Sequence, residues 1–454
     1  MAWTAVQSDV IDGGPAARKS RGSSWAAAVL VAGVVVLAAV LPLVVNPWWY
    51  DVYYWPKVVV LYAGVGLTAA LTLRREPRSW IHILRSPVGA ALMFWLGAVA
   101  LATLVSINPL ESLVGEDYRY EGLLTWLAYG AVVVLAARAL TTVRRVRLFL
   151  GAILAASAVM AILGLGQHFG WSPVPEDFDR QGWARAWGTT GSPIALGAYL
   201  VLVLPVAIGL YARAPDPGRL WGYGTAVVLL YAALIATRTR AAWGAFAIAV
   251  AVWALATGLR RLRARLQFLV VLGVALAVVT PVVLFTGSVP VSQISDRDSA
   301  DSRAFLWRTT APLVWQRPLF GWGPETLSQA YPDYKTPGFF RVFPRARMQQ
   351  IIVDRPHNDL LQQAVSTGLV GLAAYLWLWG AVFRTGWRVA RADREAALSV
   401  PSAGLAACLL GGAAGYFAQL QLSFSYVSVA PVFWSLVGLL LALDMARPPV
   451  SPKP

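Results

Sequence analysis

The sequence predicts an all-α polytopic membrane protein of about twelve transmembrane helices, and three observations carry that expectation. Of its 454 residues, 58% are hydrophobic and 13% charged, with a mean hydropathy of +0.59; soluble domains carry about 25% charged residues. About twelve apolar segments can each cross a hydrocarbon core of roughly 30 Å, which takes about 20 helical residues. Twenty-one Trp and sixteen Tyr suit the aromatic belts that form at both bilayer interfaces. The formal charge of +16 is spread over short loops between apolar segments, which fits membrane orientation better than nucleic-acid binding. Cys408 is alone, so the chain forms no internal disulfide.

Taken in order, the spans fall near 25–45, 56–73, 87–106, 122–140, 148–168, 193–212, 220–237, 241–258, 268–286, 359–383, 401–421 and 428–445. Residues 1–24 form a polar tail. No small-residue cleavage site follows the first apolar run, which reads as a retained signal anchor. The expected organisation is a tail (1–24), nine spans (25–286), a long polar loop (287–358), three spans (359–445) and a short tail (446–454). Lys and Arg number 23 in the tails and even-numbered connections, against 15 on the other side, most of those in the one long loop. By the positive-inside rule both termini are cytoplasmic. The long loop and the acidic connections with Glu111, Glu116, Asp117 and Glu121, and with Glu176, Asp177 and Asp179, are then extracytoplasmic. That face has no ATP, and the chain lacks the G-x-x-x-x-G-K-[ST] phosphate loop. A substrate met there must bring its own activation, as a lipid-linked diphosphate does, and no cofactor is expected.

The long loop carries the chemistry. It ends in Arg355-Pro356-His357-Asn358-Asp359. Proline disfavours helix in the residue before it, and Asn358 or Asp359 can cap the tenth span, which leaves His357 at a helix N-terminus on the outer surface. An imidazole there can accept a hydroxyl proton near neutral pH. The alternative is an interfacial histidine that only caps. Arg238 and Arg240 occupy the short turn between spans seven and eight, against the charge bias of that face. Their forks suit phosphate oxygens, or else they snorkel to headgroups. Asp301 or Ser302 can start a helix reaching about Trp315, with Arg303 and Trp307 on one face to offer a guanidinium and an indole to a phosphosugar. The alternative is an amphipathic helix lying on the bilayer. Pro318 to Pro324 turns the chain after it.

The segment from Asn46 to Trp55 holds six aromatics in ten residues. It reads as an aromatic belt before a glycan platform. Lys57 follows as a further outer cation, for a phosphate or for a headgroup. A metal is not expected: one Cys and three scattered His give no ligand cluster, and Glu116-Asp117 and Asp296, Asp298 and Asp301 read as ordinary acidic turns.

Four stretches, in order, resemble the O-antigen ligase and polymerase superfamily of bacterial envelope glycosyltransferases. Gly188 to Pro193 is similar to its G-T-x-x-N-P entry, Thr237 to Ala242 to its T-x-S-R-G-A turn, and Arg303 to Gly323 to its R-x-x-x-W helix with P-L-x-G-x-G. His357 to Gln362, with Gly368 and Gly371, matches H-N-x-x-L-Q and the glycines after it. Departures are Ser192 for asparagine, Thr239 and Ala241 for Ser and Gly, and Ser366 where glutamate is common. The resemblance implies a GT-C-type fold in the bacterial inner membrane. It implies metal-independent, inverting transfer of a glycan from a polyprenyl-diphosphate carrier to an acceptor hydroxyl. Arg240 and Arg303 would hold the diphosphate and His357 would act as general base. Arg238, Lys57, Trp307 and Asn358 are the expected substrate-side residues, with Asn358 orienting the loop rather than reacting. The acceptor stays open, so a polysaccharide polymerase or a protein O-oligosaccharyltransferase is an alternative within the superfamily. A lipid-linked glycan flippase is the alternative of another class. It would show inverted repeats and midplane charges, and neither is evident.

Overall fold

The computed structural model describes residues 21–72, 79–174, 185–258, 297–331, 338–339, 352–395 and 404–446. The expected ninth span at 268–286, the basic cluster at 260–265, most of both tails and the acidic residues at 176–179 lie outside them. All regular structure among the described residues is helical. Helix α1 (Arg21–Val35) runs on through a π turn and a 3-10 turn to Leu43. There follow α2 (Trp55–Thr72), short α3 (Ser79–Leu84), α4 (Pro87–Leu104), short α5 (Pro109–Val114), α6 (Leu123–Ala139), α7 (Val143–His168), α8 (Pro193–Tyr211), α9 (Pro217–Ala236) and α10 (Arg240–Thr257). Beyond the undescribed stretch come α11 (Arg297–Gln316), short α12 (Leu327–Ala330), α13 (Asp359–Glu395), α14 (Leu405–Leu420) and α15 (Ala430–Met445).

Each of the other eleven expected spans therefore coincides with a helix. Among the described residues, eight helical stretches are long and apolar enough to cross a membrane, while α6, α14 and α15 are apolar but shorter, at 16 or 17 residues. Helices start where the sequence offers a cap followed by proline. The Ser86 hydroxyl accepts from Gly89 N–H ahead of α4, Ser192 accepts from Ile194 ahead of α8, and Asp216 accepts from Arg219 ahead of α9. Three boundaries depart clearly from expectation: α7 begins at Val143, α13 runs on to Glu395, and α11 begins at Arg297, so Asp301 and Ser302 lie inside the helix rather than capping it.

Helices α8 and α15 are buried along nearly their whole length. Helix α14 packs against both α8 and α10 through Gly411, Gly412 and Gly415. A Cβ at Gly411 would lie 2.6 Å from the Ala249 carbonyl, and one at Gly412 2.6 Å from that of Leu202. Small residues at such crossings let backbones approach where lipid supplies no hydrophobic drive.

Helix α13 is broken at Gly368, whose φ of 67° is left-handed. The turn after α11 fills the break. Trp322 N–H donates to the Val365 carbonyl at 2.9 Å, Gly323 N–H to Ser366 at 3.0 Å, and Leu369 N–H to Pro318 at 2.7 Å. The proline- and glycine-rich turn thereby supplies partners to backbone groups that a broken helix would otherwise bury unpaired.

The connections after the odd-numbered expected spans touch one another. The Lys57 ammonium donates to the carbonyls of Val44 and Thr189, Arg119 pairs with Asp354, Asn358 donates to the Gln421 carbonyl, and Ser425 donates to Glu121. These connections thus share one end of the bundle. The candidate site is built there.

Candidate active site

His357 is held from three sides. Asn358 caps α13, its Oδ1 accepting from Leu361 N–H at 2.9 Å while its Nδ2 donates to the Gln421 carbonyl at 3.2 Å. On α11, the Trp307 indole donates to the Pro356 carbonyl at 2.9 Å. The imidazole lies 5.1 Å, centroid to centroid, from Phe424 in the connection between α14 and α15. His357 itself adopts φ 54°, a conformation that L-residues rarely accept without surrounding restraint. Its Nδ1 is buried and has no hydrogen-bond partner.

The same backbone strain marks the whole site. Among the described residues, the non-glycine positions with positive φ are Tyr118, Tyr120, Arg238, Glu325 and His357. All five sit in the clustered connections. Strained residues persist where the surroundings over-determine them, and they gather at working sites.

A charged cluster, buried at Glu121, Glu325 and Arg355 and half-buried at Arg119 and Asp354, lies beside the histidine. Arg119 Nε meets Asp354 Oδ2 at 2.5 Å, and Arg355 meets Glu325 at 2.5 Å with Glu121 at 3.9 Å. The Arg119 and Arg355 guanidiniums lie 4.8 and 5.5 Å from the centre of the Phe424 ring, within reach of a cation–π contact. Glu121 also accepts from Tyr129 at 2.9 Å and Ser425 at 2.7 Å. Burial lowers the His357 imidazole to about 4; Asp354 opposes that shift, and Arg303, Arg119 and Arg355 reinforce it. Burial pushes Asp354 up, yet Arg119 and Arg355 outweigh it and hold the carboxyl below its usual range. Glu121 rises to about 7, through burial that Arg355 only partly offsets. The histidine is therefore neutral near pH 7 and able to take a proton.

Arg303, one helical turn before Trp307, acts electrostatically on His357, so α11 brings these two expected residues to one place. The turn with Arg238 and Arg240 is fixed from another direction. Arg185 donates from Nε to the Thr237 carbonyl at 2.8 Å and from its terminal nitrogen to Thr239 Oγ1 at 3.0 Å. Arg238 has φ 50°, and its Nε and one terminal nitrogen are buried without partners; Arg240 is exposed as the first residue of α10. Thr239 Oγ1 donates to the Pro193 carbonyl at 3.3 Å, which ties the turn to the start of α8.

Lys57 stands apart from the expectation of a cation offered to a phosphate. It is fully buried, and its ammonium donates to three carbonyls: Val44 at 2.7 Å, Tyr53 at 2.7 Å and Thr189 at 2.8 Å. All three N–H donors are taken. Lys57 ties α2 to the turn before it and to the Gly188–Pro193 loop, which Gln167 also grips by accepting from Trp187 and Gly188 N–H. The Trp307 indole N–H is likewise engaged, on Pro356.

Sequence reasoning passed over Arg119, Asp354, Arg355, Glu325 and Phe424 as parts of this site. One signal was available: Arg119 runs against the charge bias of its side, as Arg238 and Arg240 do. Nothing in a sequence pairs it with Asp354, 235 residues away.

Fold and site together define a polytopic helical membrane protein with a strained, charged, histidine-bearing site at one end of its bundle. Residues 225–376 match the family model described as O-antigen ligase, which supports an O-antigen ligase/polymerase-like family for the chain. The matched stretch contains Arg238, Arg240, Arg303, Trp307, His357 and Asn358, and Lys57 lies outside it. No curated protein matches the chain.

Proposed function

We propose that the protein is a glycosyltransferase of the bacterial inner membrane that moves a glycan from a polyprenyl-diphosphate carrier to an acceptor hydroxyl on the extracytoplasmic side. The observation that carries this reading is the Trp307–Pro356 hydrogen bond, which sets the helix bearing Arg303 against the segment bearing His357, within the stretch that matches the O-antigen ligase family. That family indicates glycosyltransferase-like enzymes acting on lipid-linked glycans in a membrane. A polytopic fold of twelve spans and the GT-C type belong to the same reading.

In the reaction, the acceptor oxygen attacks the anomeric carbon as its proton passes to a ring nitrogen of His357. The new C–O bond forms while the bond to the diphosphate breaks, and its electron pair leaves on the phosphate oxygen. Attack opposite the leaving group inverts the anomeric centre. Arg303 and Arg240 offset the negative charge that grows on the diphosphate, with the unpartnered Arg238 nitrogens beside them, and a guanidinium fork needs no metal to do this. Proton transfer by a placed histidine contributes about 10²–10⁴-fold in rate. Asn358 and Trp307 hold the histidine and do not react.

The test is turnover by the purified protein in nanodiscs with a polyprenyl-diphosphate glycan and a saccharide acceptor. Wild type should release polyprenyl diphosphate as the acceptor is extended. His357→Ala, Arg303→Ala and Arg240→Ala should stay folded and lose that release. Full turnover in all three would overturn the mechanism.

A further inference from the structure

One carboxylate is joined to the proposed base through a shared ring: Asp354 pairs with Arg119, whose guanidinium lies 4.8 Å from the centre of Phe424, and Phe424 lies 5.1 Å from the imidazole. Asp354 sits three residues before His357, and its charge favours protonation of the ring, while Arg303, Arg119 and Arg355 oppose it. Two of the other nearby acids are committed elsewhere. Glu325 and Glu121 face Arg355 at 2.5 and 3.9 Å, and Glu121 is further held by Tyr129 and Ser425. Asp354 is gripped by Arg119 Nε at 2.5 Å. Arg119 itself is fixed between Tyr118 and Tyr120, both at strained positive φ, with its guanidinium over Phe424, the ring that also backs His357. Strained residues persist where their surroundings over-determine them, and two of them flank this arginine.

Resting on the proposed function, we infer that Asp354, oriented by Arg119, is the counter-charge for the imidazolium formed when His357 takes the acceptor proton. It is a positioning residue: it acts through His357 and not on substrate. The need is electrostatic. A ring that gains a proton beside three guanidiniums meets repulsion at the moment of bond formation, and a fixed carboxylate offsets that repulsion without having to reorganise. Arg119 has two effects. It aims the carboxylate, and it takes up part of its charge, which keeps the resting imidazole neutral. The groups facing the ring's surroundings are Arg303 from α11, Glu116, Arg119 and Glu121 from the connection before α6, and Glu325 from the turn after α11. Asp354 and Arg355 come from the segment before α13, Phe424 and Tyr426 from the connection before α15, and Tyr54 from the connection before α2.

The experiment uses full-length protein in nanodiscs and follows polyprenyl diphosphate release across pH. Asp354→Asn should lower kcat by about tenfold to a hundredfold with donor KM within about twofold of wild type, the pattern of an interaction made in the transition state. Arg119→Gln frees the carboxylate and removes a repelling cation, so the acid limb of the rate profile should move up by about one pH unit. Combining the two substitutions should return the limb toward its wild-type position. Asp354→Glu keeps the charge and should recover most of the activity, which a purely structural role for the side chain does not require. The inference is overturned by an Arg119→Gln limb that stays in place, by wild-type kcat in Asp354→Asn, or by Asp354→Glu as inactive as Asp354→Asn. A His357→Ala variant with full turnover removes the general-base reading itself. An inactive His357→Ala alongside any of those three outcomes counts against Asp354 alone.

Discussion

The indole of Trp307 donates to the carbonyl of Pro356 at 2.9 Å, so the helix that carries Arg303 is tied to the residue immediately before His357. This bond, with those from the turn after α11 into the Gly368 break, ties the expected phosphate-binding arginine to the segment of the expected base. Trp307→Phe keeps the ring and deletes the N–H. It removes about 1 kcal/mol of net stabilisation, and the melting temperature should move little. Turnover should fall about tenfold, because small misplacements of reacting groups are expensive in rate. Steady-state kinetics beside a thermal melt check this; unchanged turnover would show that the tether is dispensable.

The pH profile follows from His357. Its imidazole is lowered from 6.5 to about 4, mainly by burial. A general base works in its neutral form, and a lowered value keeps that form populated further into acid. The kcat/KM of wild type should therefore be level from pH 7 to 5 and fall as pH drops toward 4. An acid limb centred near the ordinary histidine value would contradict the buried setting of the ring.

Lys57 gives a stability prediction. Lys57→Met fills the space and leaves the carbonyls of Val44, Tyr53 and Thr189 buried without a donor. An orphaned buried polar group costs about 1–3 kcal/mol, so the variant should melt well below wild type, with any remaining activity showing a near-normal donor KM. A specific rise in donor KM at unchanged melting temperature would instead support contact with the diphosphate.

Gly368 offers a backbone test. Any side chain there meets the Leu319 carbonyl and must also adopt a φ of 67°. Gly368→Ala should destabilise by about 2–4 kcal/mol, the sum of strain and a local clash. A neighbouring change at Gly380, which has open space around its Cβ position, should be tolerated. Thermal melts of both variants separate a local demand at the break from general sensitivity of α13.

The helices were legible because the signals are local. Eleven expected spans and the cap at Asn358 depend on runs of apolar residues and on a side chain reaching three positions along the chain. The P-L-x-G-x-G turn was visible as a stop to α11, but its docking into the Gly368 break was not, since the hydrogen bonds from Trp322 and Gly323 reach residues some forty positions later. Lys57 was legible as an unusual outer cation; its burial against three carbonyls depends on where Thr189 lies in space.

By itself the sequence determined a helical membrane protein with its candidate catalytic residues gathered on one set of connections, and it singled out His357, Arg303 and the Arg238–Arg240 turn. Only the tertiary structure decided which charges meet. Arg119 with Asp354, Arg355 with Glu325, and Phe424 beneath them join segments far apart in the chain. Hydropathy and capping act over a few residues and leave a trace in any window of sequence. An ion pair depends on two side chains being brought within a few ångströms by the packing of every helix between them, and no local pattern records that.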